Sequence, residues 1–307
     1  MKAPQRTKEN WQLRTRSLEL GRRTLVMGIV NVTPDSFSDG GRWAAPEAAV
    51  ERCLQLLDEG ADLLDLGAES TRPGSRAGGA ADTPQAPAVS AMEEQARLIP
   101  VIKGILHARP DAILSVDTYK AETARAACLA GAEIVNDVSG LLWDAEMAAV
   151  CAQTGCGVVL MHTRGKPEEW RSLPRLASPE LLASVQGGLQ QSLAMALAAG
   201  VKAEAIVLDP GYGFGKRFEE NFSLLATQSD LLALGRPLLV GVSRKSFLGR
   251  GLATLFGGMD APVEARETAG IAAMVTAILH GASVVRVHEV KVAVEAACIA
   301  DAVLREG

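Results

Sequence analysis

The sequence predicts an α/β fold: a closed (β/α)₈ TIM barrel with a short N-terminal β-hairpin. Three observations lead there. Short apolar runs alternate with helix-length stretches eight times along the 307 residues, and strands alternating with helices imply a parallel sheet. Glycine stands just after most of the helical stretches, where it closes a helix. Polar and charged residues gather directly after the apolar runs, the end at which an eight-unit barrel carries its chemistry. The expectation is one domain over residues 1–307, with the barrel proper at about 24–305. The competing architecture is an open doubly wound sheet. No Gly-x-Gly-x-x-Gly follows the first strand, which weakens the dinucleotide-binding form of that alternative.

Residues 11–24 alternate in character and predict a hairpin with Gly21 near its turn, lidding one end of the barrel. The first barrel strand is Leu25–Val32, an apolar run that reads as buried. A long polar loop follows, with Phe37 inside it. Pro46 then takes the first turn of a helix, where its missing N–H costs nothing, and the helix runs over Glu47–Glu59 to Gly60. The second strand, Leu63–Gly67, leads to Glu69-Ser-Thr-Arg-Pro-Gly74 and a stretch without apolar period to about Ala88, read as a mobile loop. A helix over Ala91–His107 is expected to kink or break at Pro100. Strand three, Ile113–Thr118, is followed by a helix over Lys120–Ala130. Strand four, Ile134–Val138, is followed by one over Ala145–Thr154, and strand five, Val158–His162, by one over Pro179–Ala199. Strand six, Ile206–Pro210, carries the tip Gly211-Tyr-Gly-Phe-Gly-Lys216 before a helix over Asn221–Leu234. Strand seven, Leu238–Val242, carries the tip Ser243-Arg-Lys-Ser-Phe247, a glycine-containing loop and a helix over Glu267–His280. Strand eight, Val284–His288, precedes a last helix from Lys291 to about Leu304.

Composition narrows the function. A net charge of −5 argues against a general nucleic-acid binder, and aromatic residues at 4% leave few stacking platforms. No apolar run is long enough to cross a bilayer, and the charged N-terminus has no apolar segment after it. The five cysteines are scattered, and Cys151 and Cys156 lack a second pair for zinc, so reduced thiols in a cytoplasmic protein are expected.

The strand tips gather Asn31, Glu69, Thr71, Arg72, Asp117, Asn136, Met161, His162, Asp209, Lys245, Arg286 and His288. Any one could be a satisfied structural group, but a polar tip on nearly every strand is not explained that way. Asp117, Asn136, Asp209 and Lys245 offer donors and acceptors suited to a flat heterocycle with amino, ring N–H and carbonyl edges. Arg286 and His288 alternate on strand eight and share a face. With Asn31 from the neighbouring first strand they make a polar, cationic corner, near where barrels often bind phosphate. An oxygen ligand such as Asn31 can share Mg²⁺ with phosphates, since Mg²⁺ keeps substrate oxygens and water. No Ser-His-Asp arrangement is supported. Gly211-Tyr-Gly-Phe-Gly-Lys216 lacks the length and following Ser/Thr of a Walker A loop.

The chain resembles the dihydropteroate synthases of folate biosynthesis, a pterin-binding TIM-barrel family. The resemblance rests on Asn31-Val-Thr-Pro-Asp-Ser-Phe-Ser-Asp-Gly40, Glu69-Ser-Thr-Arg-Pro-Gly74, Ser115-Val-Asp-Thr118, Asn136-Asp-Val-Ser-Gly140, Leu160-Met-His162, Asp209-Pro-Gly-Tyr-Gly-Phe-Gly-Lys216, Ser243-Arg-Lys-Ser-Phe-Leu-Gly249 and Arg286-Val-His288, all in the family's order. It implies a transferase that joins 6-hydroxymethyl-7,8-dihydropterin diphosphate to para-aminobenzoate and releases diphosphate, a target of sulfonamides. It implies that Asp117, Asn136, Asp209 and Lys245 hold the pterin, with Met161 packing near its ring and Phe214 also binding substrate. Asn31 would bind Mg²⁺, and Thr71, Arg286 and His288 would handle the substrate and its diphosphate. Phe37, Arg72 and Ser246 would form the para-aminobenzoate pocket as the first two long loops close. Asp117, Lys245 and Arg72 are the residues expected to carry catalysis, with Asp117 stabilising positive charge on the pterin. A homodimer through barrel helices is implied, and the alanine-rich helix around Ile271–Leu279 is a candidate surface.

The sequence departs from the family pattern in a longer loop after Gly74, in Glu289 after the strand-eight histidine, and at Arg217-Phe-Glu-Glu-Asn221. Two other readings compete. A pterin-binding methyltransferase domain would share the barrel and pocket, but the Thr-Arg-Pro-Gly and Ser-Arg-Lys-Ser loops argue against it. A non-catalytic paralogue would bind pterin without turnover, and retention of Asn31, Arg72, Lys245, Arg286 and His288 argues against that.

Overall fold

The computed structural model describes residues 6, 8–32, 45–69 and 89–306. The chain opens with an antiparallel pair, β1 (Glu9–Gln12) and β2 (Ser17–Leu20). Eight parallel strands follow: β3 (Leu25–Asn31), β4 (Leu63–Gly67), β5 (Leu114–Asp117), β6 (Ile134–Asp137), β7 (Gly157–Met161), β8 (Ile206–Asp209), β9 (Leu238–Val240) and β10 (Ala282–Val287). Each pairs with the next, and β10 returns to β3 to close a barrel. Among the described residues nine α-helices connect or follow them: α1 (Ala45–Asp58), α2 (Ala91–Ala108), α3 (Ala121–Ala130), α4 (Met147–Thr154), α5 (Ser178–Ala198), α6 (Phe218–Ala226), α7 (Ser246–Gly251), α8 (Glu267–Leu279) and α9 (Val290–Glu306). This is the TIM barrel with N-terminal hairpin expected from the sequence. No helix among the described residues is long and apolar enough to cross a membrane.

Strand alternation decides what the barrel contains. Successive side chains point to opposite faces. The outward residues Val26, Leu64, Leu66, Val116, Val135, Val158, Leu160 and Leu208 join the apolar faces of the helices in one buried cluster. The inward residues Met27, Leu63, Ile134, Val159, Val207, Leu239 and Val284 form a second cluster with Trp11, Leu13 and Leu20 of the hairpin. The hairpin therefore plugs the N-terminal end of the barrel. Two residues further along the strands, the inward positions become Asp65, Asn136, Met161, Asp209 and Arg286. The barrel is dry at one end and polar at the other.

The plug is pinned by polar contacts to the turns beneath the barrel. The Trp11 indole N–H donates to the Ala205 carbonyl (2.9 Å), the Arg14 Nε–H to that of Ala132 (3.0 Å), and the Thr15 backbone N–H to Glu133 (2.8 Å). These contacts correct the expected hairpin geometry. The turn lies at residues 13–16, closed by the Leu13 N–H to Arg16 carbonyl bond (2.8 Å), and Gly21 sits beyond β2 at φ 87°. Anchoring to the barrel floor, not a glycine, sets the reversal. Nearby, Arg6 and Asp301 pair at 2.9 Å, and Asp301 also accepts from the Thr24 backbone N–H at 2.7 Å.

Other boundaries also differ from the sequence reading. α2 runs unbroken through Pro100 and opens with a Ser90–Glu93 capping box. The helix expected over Asn221–Leu234 is divided into α6 and a 3₁₀ stretch, Gln228–Leu234. Buried Gln228 explains the break, because its side chain accepts from the Tyr212 hydroxyl (2.9 Å) and donates to the Ala277 and His280 carbonyls. The glycine-containing loop after β9 holds the six-residue α7. All five cysteines are free thiols, four of them buried.

Candidate active site

At the polar end of the barrel a carboxylate that sequence reading passed over ties three strands together. Asp65, fully buried on β4, accepts from the Asn136 amide at 2.9 Å and from the Arg286 Nε–H at 2.5 Å. Arg286 also donates to Asp117 at 2.6 Å. Asn136, Asp65, Arg286 and Asp117 thus form one continuous chain across β6, β4, β10 and β5. The signal for Asp65 was present: a charge at the central position of Leu63-Leu-Asp-Leu-Gly67, on the inward face shared by Leu63 and Gly67. Its other oxygen, and the nearby Ser115 hydroxyl, are buried without a hydrogen-bond partner among the described residues. Buried polar atoms are nearly always paired, so this floor is built for a polar ligand or ordered water.

The electrostatics follow from burial. Burial raises the Asp117 carboxyl above the usual carboxylate range; the Arg286 guanidinium opposes this and the Asp65 charge adds to it. Burial likewise pushes Asp209 up to about 6, against the Gly211 N–H and the cations Lys245, Arg286 and Lys216. His162, at the end of β7, is held neutral by burial and by nearby Lys216 and Arg164. Its ring does not face the cleft: a Cβ added at Gly188 of α5 would lie 2.5 Å from it. His162 is thus packed against α5, with its Nδ1 buried and without a hydrogen-bond partner among the described residues.

The expected tip residues come together otherwise. Asn31 ends β3 and is half-buried. Met161 ends β7 and is buried. Asp209 ends β8 and accepts from the Gly211 N–H at 2.7 Å. The Lys245 ammonium lies 4.0 Å from the centre of the Phe214 ring, and Lys245 caps α7, whose first residue is exposed Ser246. Ser243 and His288 meet through Oγ and Nδ1 at 3.0 Å. Arg286 is drawn inward to two carboxylates, whereas His288 lies beyond the end of β10. The cationic corner read from their alternation is therefore layered, with Arg286 on the floor. Phe37, Thr71 and Arg72 lie outside the described residues, as does the long loop after Gly74. Glu69 is described: it pairs with Lys120, which also approaches Glu94 at 3.4 Å, and accepts from the Tyr119 hydroxyl at 3.0 Å.

Asn31 offers one oxygen donor. Among the described residues no group of three His, Cys, Asp or Glu side chains could hold a metal ion. That donor set fits an ion carried in largely by substrate oxygens and water.

Comparison with known proteins shows the family and the fold. The pterin binding enzyme family matches residues 27–288. A dihydropteroate synthase from Synechocystis sp. is 40% identical over 93% of this chain and 92% of its own length. The solved dihydropteroate synthase of Xanthomonas albilineans with 4-aminobenzoic acid is 40% identical, with a TM-score of 0.83 over 97% of this chain and 98% of that one. The same enzyme in complex with 7,8-dihydropteroate is 38% identical, with a TM-score of 0.79 over 96% of this chain and 98% of that one.

Proposed function

Because the chain belongs to the pterin binding enzyme family, and within it to the dihydropteroate synthases, we propose that the polar mouth of its barrel is where a pterin diphosphate and para-aminobenzoate are condensed. The reaction is a transfer. The amine nitrogen of para-aminobenzoate forms a bond to the exocyclic methylene carbon of 6-hydroxymethyl-7,8-dihydropterin diphosphate. The carbon–oxygen bond to diphosphate breaks, the leaving group takes the electron pair, and the amine gives up a proton. 7,8-Dihydropteroate and diphosphate result.

The observation that carries the reading is the chain of Asn136, Asp65, Arg286 and Asp117 with unpaired buried acceptors in its floor. In this reading Asn136, Asp209 and Lys245 meet the donor and acceptor edge of the pterin, and Met161 and Phe214 pack on its ring. Asp117 faces the carbon that gains positive charge, and Arg286 keeps that carboxylate oriented while extending toward the diphosphate. No side-chain nucleophile is required. His288, oriented through Ser243, and Asn31 stand on the diphosphate side. Mg²⁺ held by Asn31 and substrate oxygens would neutralise charge on the leaving group. Thr71, Arg72, Phe37 and Ser246 would complete the diphosphate and para-aminobenzoate sides, and loops closing there would keep water from competing with the amine. The functional unit proposed is a homodimer. The outer face of α8 presents Ile271, Val275 and Leu279 at helical spacing, all half-buried in the single chain.

The test is diphosphate release from the pterin diphosphate, with and without para-aminobenzoate and Mg²⁺. Release that needs both and yields dihydropteroate is expected. Tight pterin binding without release would replace the enzyme with a pterin-binding paralogue.

A further inference from the structure

Phe214 and Lys245 meet above a buried cation that has no part in the proposed chemistry. The Lys216 ammonium donates to the carbonyls of Gly211 (2.7 Å), His162 (3.2 Å) and Phe214 (3.2 Å). An ammonium has three donors and no acceptor, so donors and acceptors are matched one to one. Two of the carbonyls belong to the loop after β8, and the third belongs to the end of β7. The loop is folded back hard against β7. At Gly211, φ is 67° and a Cβ would lie 1.9 Å from the His162 carbonyl oxygen. Carbonyl oxygens are thereby turned toward a common point, an arrangement that needs a cation at its centre. The fold so fixed sets three residues of the mouth. The Gly211 N–H reaches Asp209, and the Phe214 ring lies edge-on to Trp170 at 5.4 Å and beneath the Lys245 ammonium.

We propose that Lys216 is a positioning residue for the pterin pocket, its ammonium gathering three carbonyls at the ends of β7 and β8 so that Phe214 and Lys245 stand as one wall. This rests on the cleft being the pterin site. The charge state matters, because a neutral amine offers two N–H groups to three carbonyls. Burial pushes Lys216 down to about 7, with Asp209 and Glu220 favouring the charged form and Arg164 and Lys245 opposing it; His162, packed beside it from β7, is neutral.

Lys216→Met and Lys216→Gln, made in the full chain, test the proposal through substrate kinetics and hydrogen exchange of the peptide spanning residues 210–217. In the Met variant the KM for the pterin diphosphate is expected to rise tenfold or more, with the KM for para-aminobenzoate within twofold of the unmodified protein. The Gln variant, which keeps two N–H donors, should fall between. Exchange of the loop peptide should increase while that of α9 does not. In the unmodified protein, exchange of the same peptide, corrected for intrinsic rate, should be faster at pH 9 than at pH 6; this arm does not depend on the variants folding. A pterin KM unchanged in a folded Lys216→Met variant, or equal corrected exchange at the two pH values, would overturn the proposal. A pH-responsive loop in a protein that binds no pterin diphosphate would overturn the functional reading, and the pocket role with it.

Discussion

Asp209 and Asp65 both sit on inward positions at the polar end of the barrel yet have different duties. Asp209 is proposed to accept from pterin N–H groups, which requires the carboxylate to be ionised. Its folded pKa is raised to about 6, first by burial. The acceptor is therefore present above that value and lost as pH falls through it. The pterin KM is expected to climb about fivefold between pH 6 and pH 5, reaching roughly tenfold its high-pH value one unit below the midpoint. An ordinary carboxylate would show this limb about two units lower. Asp209→Asn should raise KM at every pH and abolish the limb, which a pH series of initial rates would reveal. Asp65 compensates buried Arg286 and orients Asn136, and leaves only its second oxygen to a polar ligand or ordered water. Asp65→Ala leaves a largely buried guanidinium short of one partner, and removing one member of a buried pair costs about 3–5 kcal/mol. Urea denaturation should show that loss, together with a fall in kcat/KM.

Among the elements, the hairpin is the part whose effect can be separated from chemistry. Trp11, Leu13 and Leu20 are almost wholly buried beneath the barrel, and the Trp11 N–H is bonded to Ala205. Trp11→Ala removes a large buried side chain at an end where no substrate binds, so a loss of about 3–5 kcal/mol is expected. The KM values should stay within twofold at a temperature where the variant is folded; a selective rise in one of them would show that the plug also shapes the mouth. The same contrast explains what could be read from the sequence. Eight strands were legible because inward and outward apolar residues make each of them a continuous run, and because glycines such as Gly131 and Gly155 end α3 and α4 in the left-handed region. Asp117, Asn136 and Asp209 were legible as polar ends of those runs. The pairing of Arg286 with Asp65 spans 221 residues, and no local pattern encodes a partner that distant. The three-carbonyl cradle of Lys216 was hidden for the same reason, since His162 lies 54 residues earlier. The hairpin turn was misplaced because barrel contacts, not turn residues, set it. α7 was read as loop because its six residues carry two glycines and no apolar period.

At the scale of the whole molecule, the outer face of α8 sets the assembly proposed here. Exposed Ala272 lies beside Ile271 and Val275, which pack partly against the core, with Met274 and Ile278 turned into it. A charge at Ala272 should therefore disturb association more than folding. Ala272→Asp is expected to shift the sedimenting species from a dimer to one near 32.2 kDa with unchanged circular dichroism. A dimer that persists would place the interface elsewhere. The knot of Arg6, Thr24 and Asp301 has a separate consequence. It brings the early and late parts of the chain to the plugged end, opposite the mouth. The segments that carry Arg6 and Asp301 therefore lie away from arriving substrates. Because Arg6 and Asp301 touch, a short linker bridging their two segments, with the chain opened instead at a surface loop, should give a permuted chain with the same cleft.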